Sequence, residues 1–536
     1  MLFNSPQFIF AFLPLVVAGF YILGARSVRL ALAFLVAASI FFYAWWRPLN
    51  VLIIAPSILI NYALIRVMIE KRDVAPTQAS IALWVGIAFN VLYLCYFKYT
   101  TFIEQVVRDV GGFSYVLDRV VLPLGLSFIT FQKIALLMDA HAGRIDRVTL
   151  RDYMTFVLFF PPLISGPIVH YREIMPQFHA MDGRLRLQNI GLGVTLFFVG
   201  LAKKMIIADP LALLIAPYWQ DAASGGHPAL VQAWAAALGF MVQLYFDFSG
   251  YCDMAIGIAR MFGITLPPNF DAPLKAPSLI EFWSRWHMTL TRFLTAYVFS
   301  PVSLQQTRAR MSRSLPVLAG RKTTRGAFIG LIAAPTLQTM FISGLWHGAG
   351  YQFIIFGLLH GVGLVVNHGW RLWRPRWWPR DGAPGRLALF VSWGITILFV
   401  VFAQVFFRAP DVSSALRIWS GMLGLDGVTL PSAVQAKMAP LLAHVGVHPA
   451  LTFEGGQDFA ILWLFIFVGW LIALGAPTIY ELTAAYNPAL GWKPRAGQRF
   501  VAGFRPSLGW ACALSLATTV GLLSLGQVST FLYWKF

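Results

Sequence analysis

Phe341-Ile-Ser-Gly-Leu-Trp-His-Gly-Ala-Gly350 sits inside an apolar segment that continues to a second histidine, His360. An apolar run of this length reads as membrane-spanning, because a bilayer core of ~30 Å takes about 20 residues of helix. A histidine at that depth is costly, so its default reading is a functional site. Around it Ser343, Gly344, Gly348, Ala349 and Gly350 leave the backbone uncovered, open to a second helix or an elongated substrate. On a continuous helix Ser343, His347 and Tyr351, spaced i, i+4, i+8, share one face. Spacing alone supports two readings of His347 equally: a packing histidine on a glycine-rich helix interface, or a reactive group.

The 536-residue chain is 58% apolar and only 12% charged, and the apolar residues fall in long blocks. That composition defines an integral membrane protein rather than a soluble one with a large core. Roughly eleven or twelve segments reach spanning length, so the expectation is an all-α polytopic membrane protein forming a single domain over 1–536. Lys plus Arg number 41 against 22 Asp plus Glu, a formal excess of +19. In a soluble chain that excess would raise nucleic acid as a partner. Here it sits in short loops between apolar blocks, where positive-inside orientation accounts for it and no nucleic acid is called for. The three cysteines, Cys95, Cys252 and Cys512, are isolated, and their spacing allows neither a disulfide frame nor a metal cluster.

The first apolar block, about residues 7–24, lacks a basic region before it and a cleavage site after it, so it is expected to be retained. Arg26 and Arg29 follow this block and Arg66, Lys71 and Arg72 follow the third, whereas the loop after the second holds only Arg47. Alternation of basic loops places the N-terminus outside. A span at about 119–140 leads into Phe159-Phe-Pro-Pro-Leu-Ile-Ser-Gly-Pro-Ile168, whose prolines and glycine cannot form a regular helix. Broken backbone at membrane depth is tolerated only where it is buried in protein or lines a cavity; a loop at the interface is the alternative. Further spans fit about 188–207, 228–248, 327–346, 350–368, 386–407, 458–476 and 508–531, with a basic polar loop from Gln305 to Arg325. No internal repeat of the kind found in secondary transporters is visible.

A second notable stretch is Glu281-Phe-Trp-Ser-Arg-Trp-His-Met-Thr-Leu290. Drawn as one helix, it puts Trp283 and His287 on one face and Phe282, Arg285, Trp286 and Thr289 on another. An interfacial amphipathic helix explains much of this pattern and still leaves His287 able to point inward. In Tyr245-Phe-Asp-Phe-Ser-Gly-Tyr-Cys-Asp253 two carboxylates sit among aromatics. Buried Asp is nearly always paired, so Asp247 or Asp253 is expected to orient a histidine or bond to Arg285. Asn269-Phe270-Asp271 is a turn signal and a candidate cavity lining, whereas Lys98, Lys203, Lys204 and Arg408 lie at span ends where snorkelling explains them. The sequence lacks a G-x-S-x-G elbow, an HExxH pair, a P-loop and a G-x-G-x-x-G turn, which removes the usual support for hydrolase, zinc protease, ATPase and dinucleotide readings.

Tyr96-Phe-Lys-Tyr99, Pro123-Leu-Gly-Leu-Ser-Phe-Ile-Thr-Phe-Gln132, Phe159 to Pro167, Gly200-Leu-Ala-Lys-Lys204, Asp247-Phe-Ser-Gly-Tyr251, Phe282-Trp-Ser-Arg-Trp-His287, Ser343-Gly-Leu-Trp-His-Gly348 and Phe406-Phe-Arg408 occur over nearly the whole chain. In this combination and order the chain resembles the membrane-bound O-acyltransferases, in particular the branch of alginate O-acetyltransferases and D-alanyl lipoteichoic acid transferases. Pro162 departs from the pattern that the resemblance implies, in which glutamine is expected at this position. The resemblance implies His347 as the essential histidine and His287 as a second, more variable one. Asp247, Arg285, Trp346, Ser343 and Asn269 are the candidate cavity or supporting residues around them.

That resemblance further implies a multi-pass protein of the bacterial inner membrane with a periplasmic N-terminus, in contact with membrane lipid. Its activity would pass an acyl group, most simply acetyl, from a cytoplasmic thioester (acetyl-CoA or an acyl carrier) across the membrane for O-acetylation of an exported, alginate-like polysaccharide. A separate periplasmic SGNH-type transferase is the implied partner, and no bound metal or organic cofactor is called for. A neutral imidazole suits the base that such a transfer needs, and burial keeps it unprotonated. Phe531-Leu-Tyr-Trp-Lys-Phe536 resembles a terminal aromatic motif of this branch, which implies Tyr533 as an acyl relay. An aromatic belt with a snorkelling Lys535 is the alternative. Two rival activities remain: D-alanyl transfer from a carrier protein to teichoic acid, and a flippase for a lipid-linked sugar that uses intramembrane His and Asp for proton coupling.

Overall fold

The computed structural model describes residues 1–112, 121–374, 385–428, 456–495, 507–523 and 531–532. In chain order the helices used below are Leu13–Gly24 (α1), Val28–Ala44 (α2), Leu49–Lys71 (α3), Pro76–Leu94 (α4), Leu126–His141 (α5), Leu187–Ala202 (α6), Asp209–Ala223 (α7) and Leu230–Met261 (α8). Then come Leu279–Arg285 (α9), Met288–Leu294 (α10), Ser300–Ser312 (α11), Ala334–His347 (α12), Tyr351–Trp373 (α13) and Arg386–Arg408 (α14). Among the described residues seven helical stretches are long and apolar enough to cross a bilayer, and Phe8–Gly24, Val28–Ala44 and Leu508–Leu523 are shorter apolar helices. The architecture is therefore the all-helical, polytopic one that the apolar blocks predict. Two expected spans have a different character. The one at 119–140 is the 16-residue α5, buried round most of its circumference, including Lys133 and Asp139. The one at 228–248 is part of the 32-residue α8.

Two compact units make up the chain: residues 1–203, 248–269 and 477–536 form the first, and residues 204–247 and 270–476 the second. In the first, α3, α4 and α5 pack together around a small polar island. Asn61 and Asn90 bond each other there through their amides, at 3.3 Å and 2.6 Å, and Lys133 Nζ donates to Ser57 Oγ. The proline-rich stretch after Leu158 forms one short turn, Phe160–Leu163, followed by irregular backbone through His170, and all of it is buried. Gly166 is required there, because a Cβ would stand 2.4 Å from Pro162 Cα. The broken backbone thus lies inside protein, as membrane depth demands.

Several helices run further than their hydrophobicity suggests because π turns carry them on. Cys95–Tyr99 extends α4 into a stretch ending at Gly111, and Lys203–Ala208 joins α6 to α7, so that the expected end near 207 is helix interior. The second unit contains the tightest helix contact, an antiparallel hairpin of α12 and α13 joined by Gly348–Gly350. A Cβ on Gly344 would lie 2.3 Å from Phe353 O, one on Gly357 2.3 Å from Met340 O, and one on Gly361 3.2 Å from Met340 Cβ. Backbone meets backbone at this crossing, which only small residues allow. Gly357→Val is expected to destabilise the protein by about 1–3 kcal/mol through overpacking, seen as a lower melting temperature in detergent. Gly394→Val, where a Cβ meets nothing within 4 Å, should change it little.

Candidate active site

His347 is the last residue of α12, because Gly348 is fully extended (φ −166°, ψ 161°) and ends the helix at the imidazole. Tyr351 starts a new helix, so it does not continue the Ser343–His347 face as the i, i+4, i+8 spacing predicts. His347 is 3% exposed and Ser343, one turn below, is completely buried. Ser343 Oγ has no hydrogen-bond partner among the described residues. Aromatic rings enclose His347: Trp346 at 4.8 Å between centroids, Phe407 of α14 at 5.2 Å and Phe356 of α13 at 5.9 Å.

His287 approaches this group from a break in the chain. The helix expected over 281–290 is two helices, α9 and α10, separated by Trp286 in extended conformation (φ −99°, ψ 128°) and His287 in the left-handed region (φ 43°, ψ 50°). The predicted shared face of Trp283 and His287 is therefore corrected. A non-glycine residue in that region carries strain of order 1–3 kcal/mol, and such strain clusters at functional sites. The kink turns His287 toward His347, their ring centroids 6.3 Å apart, with Trp346 5.8 Å from His287. His287 lies outside the apolar spans and is fully buried, and that burial pushes its pKa down to about 3, so the ring is neutral.

A cavity of about 330 Å³ has a lining that includes Trp283, Ser284, Thr291, Thr339, Met340 and Leu364, and neither His347 nor His287 is part of that lining. It runs along the α12 face that leads to Ser343 and His347, three and seven residues beyond Met340. Three of its hydroxyls are committed to backbone carbonyls: Ser284 Oγ donates to Glu281 O at 2.7 Å, Thr291 Oγ1 to Trp283 O at 3.1 Å and Thr339 Oγ1 to Pro335 O at 2.7 Å. What they offer the cavity is lone pairs, which suits a ligand bearing N–H or O–H groups.

The remaining candidates are placed otherwise. Arg285 pairs with Glu281 and donates to Ala272 O at 3.4 Å, rather than bonding to Asp247 or Asp253. Asp247 instead takes Lys204, whose Nζ also bonds Asp209, both at 2.7 Å, with the Lys204 and Asp247 side chains 1% and 3% exposed. In the first unit Asp253 pairs with Lys203 at 2.5 Å and accepts from Tyr480 OH at 2.8 Å. Both lysines thus neutralise carboxylates within helix packing, not at the interface by snorkelling. The reason is the π turn, which keeps them inside a continuing helix. Asn269, also of the first unit, donates to Cys252 Sγ at 3.2 Å. Arg408 lies over the Trp219 ring at 5.4 Å. Tyr533 lies outside the described residues.

Residues 84–319 match the sequence profile of the membrane-bound O-acyltransferase family. The chain is 38% identical over 461 residues to a peptidoglycan O-acetyltransferase of Helicobacter pylori, covering 80% of this chain and 81% of the relative. It is 33% identical over 470 residues to a probable alginate O-acetylase, AlgI, of Pseudomonas aeruginosa, covering 86% and 82%. A teichoic acid D-alanyltransferase of Streptococcus thermophilus matches at 28% over 46% of this chain and 57% of its own length. The chain belongs to the membrane-bound O-acyltransferase family. It is a multi-pass membrane acyltransferase, and the profile match contains His287, while His347 lies beyond it.

The Lys204 cluster gives a direct test of the buried charges. Lys204→Met takes the cation from between two carboxylates and is expected to cost about 3–5 kcal/mol. Pairing it with Asp247→Asn should recover part of that loss, as measured by thermal unfolding of the purified variants.

Proposed function

We propose that this protein passes an acetyl group from a cytoplasmic thioester across the membrane for O-acetylation of an exported polysaccharide, with His347 as general base and His287 as the group that holds or polarises donor or acceptor. The observation that carries the reading is the pair of buried imidazoles at 6.3 Å, with a cavity lined by residues of the same helices, α9, α10, α12 and α13. As the acceptor oxygen attacks the thioester carbonyl, the His347 ring takes the hydroxyl proton. The C–S bond then breaks and the thiolate leaves with that proton, which returns the imidazole to its neutral form. Acceptor-only hydroxyls along the cavity favour a donor arm rich in amide N–H groups.

Sidedness follows from charge. The chain from Phe282 to Arg380 contains no Asp or Glu, and Arg308, Arg310, Arg313, Arg321, Lys322 and Arg325 lie just before the helix that ends at His347. Positive-inside orientation puts this basic segment in the cytoplasm, hence a donor on that side and an acceptor on the other, in a bacterial inner membrane with the N-terminus periplasmic. The longer matches to O-acetylating relatives than to a D-alanyltransferase favour acetyl as the group moved. A periplasmic transferase that receives the acetyl group completes the proposed route.

The test is thiol release from acetyl-CoA by the full-length protein in lipid nanodiscs, with and without a hydroxyl acceptor. His347→Ala should lower it about 10²- to 10⁴-fold, the usual reach of general-base help, while a D-alanyl carrier thioester is left unused. Equal rates for His347→Ala and the parent protein at equal amounts would sink the proposal, and movement of a lipid-linked sugar without thiol release would point to a flippase.

A further inference from the structure

His287 is presented by a segment that cannot hold itself. Helices α9 and α10 have seven residues each, far below the length at which a helix is stable alone. The turn between them is strained at His287. Its support is one face of α13, on which His360, Gly363, Leu364 and Asn367 recur at i, i+3, i+4 and i+7. Gly363 admits α9 closely, since a Cβ there would stand 2.6 Å from Leu279 Cδ2.

Two polar bonds tie the short helix to that face, two turns apart. The Ile280 N–H, one of the donors that a helix start leaves without an internal partner, donates to Asn367 Oδ1 at 3.1 Å. Trp283 Nε1–H donates to His360 Nδ1 at 3.2 Å. Because Nδ1 accepts, the His360 proton is on Nε2, and that atom has no hydrogen-bond partner among the described residues. His360 is completely buried among Trp283, Phe356 and Phe399, with ring centroids at 5.2, 4.7 and 5.6 Å. A phenylalanine would fill this space without the unmatched Nε2–H but would strand the Trp283 N–H, so the acceptor nitrogen is what the position gains from histidine. The anchored residues are functional ones. Ile280, Trp283 and Ser284 line the cavity, and α9 leads directly into the His287 kink.

We propose that His360 and Asn367 are positioning residues for acyl transfer: by accepting from Trp283 and Ile280 they fix α9 on α13, which sets both the Trp283 wall of the cavity and the placement of His287 against His347. The proposal rests on the acyl-transfer reading above, and its test separates the two. Full-length variants in nanodiscs are assayed for kcat and KM in thiol release, with melting temperature measured alongside. His360→Phe keeps an aromatic ring and removes the acceptor, whereas His360→Asn keeps an acceptor atom near the Nδ1 position. A misplacement of about 1 Å costs on the order of 10² in rate. His360→Phe should therefore lose about ten- to a hundredfold in kcat with only a small drop in melting temperature, and His360→Asn should regain most of that kcat. Asn367→Leu and Asn367→Asp should behave as the same kind of pair. If His360 acts through the Trp283 N–H, His360→Phe combined with Trp283→Phe should be no worse than the poorer single variant. Parent-level kcat in His360→Phe, equal loss in the Phe and Asn variants, or losses that multiply in the double variant would each overturn the proposal. A thiol release that survives His347→Ala would overturn the acyl-transfer reading instead.

Discussion

Direct contact between two peptide backbones, at the crossing of α12 and α13, is the constraint on which the second unit is built. Lipid gives two apolar helices little reason to leave it for each other, so association depends on close van der Waals contact and on small residues that permit it. Gly344 and Gly357 supply that contact within one hairpin. Everything chemical hangs from it: His347 at the last turn of one helix, and on the other Phe356, packed against both His347 and His360. The three-residue link Gly348–Gly350 then ends α12 at the imidazole, so the ring sits at a helix end and not along a flank.

The carboxylates of Asp209, Asp247 and Asp253 are matched locally by lysine. Asp247 and Asp209 share Lys204 in one unit, and Asp253 is held by Lys203 and Tyr480 in the other. Charges so neutralised give up reactivity in exchange for fixing helix register. Aromatic rings surround the histidine pair: Trp346 packs against both imidazoles, and Phe356 and Phe407 against His347.

Much of this could be read from the amino acids. Long apolar blocks locate the spans, and a histidine set among glycines in one of them marks His347 before any contact is known. The order of short motifs, from Tyr96 to Arg408, identifies the family. The kink at Trp286–His287 could not be read, because every residue from Phe282 to Thr291 is compatible with a helix and the left-handed turn is selected by tertiary packing. Lys203 and Lys204 misled for a related reason: hydrophobicity drops at them, yet the helix continues. Tyr351 shares the His347 face only on an unbroken helix, and the extended Gly348 breaks it. The Trp283–His360 bond joins residues distant in sequence, and neither carries a local sign of the other.

The π turn at Lys203–Ala208 has a geometric consequence of its own. Adding one residue to a helical turn advances everything downstream by about 100° around the axis. Adjacent lysines, normally neighbours on the rim of a cylinder, can thereby serve carboxylates in different compact units. In effect the inserted residue acts as a phase shifter: each half of the rod follows its own hydrophobic periodicity, and evolution can retune one half without scrambling which way the other half points.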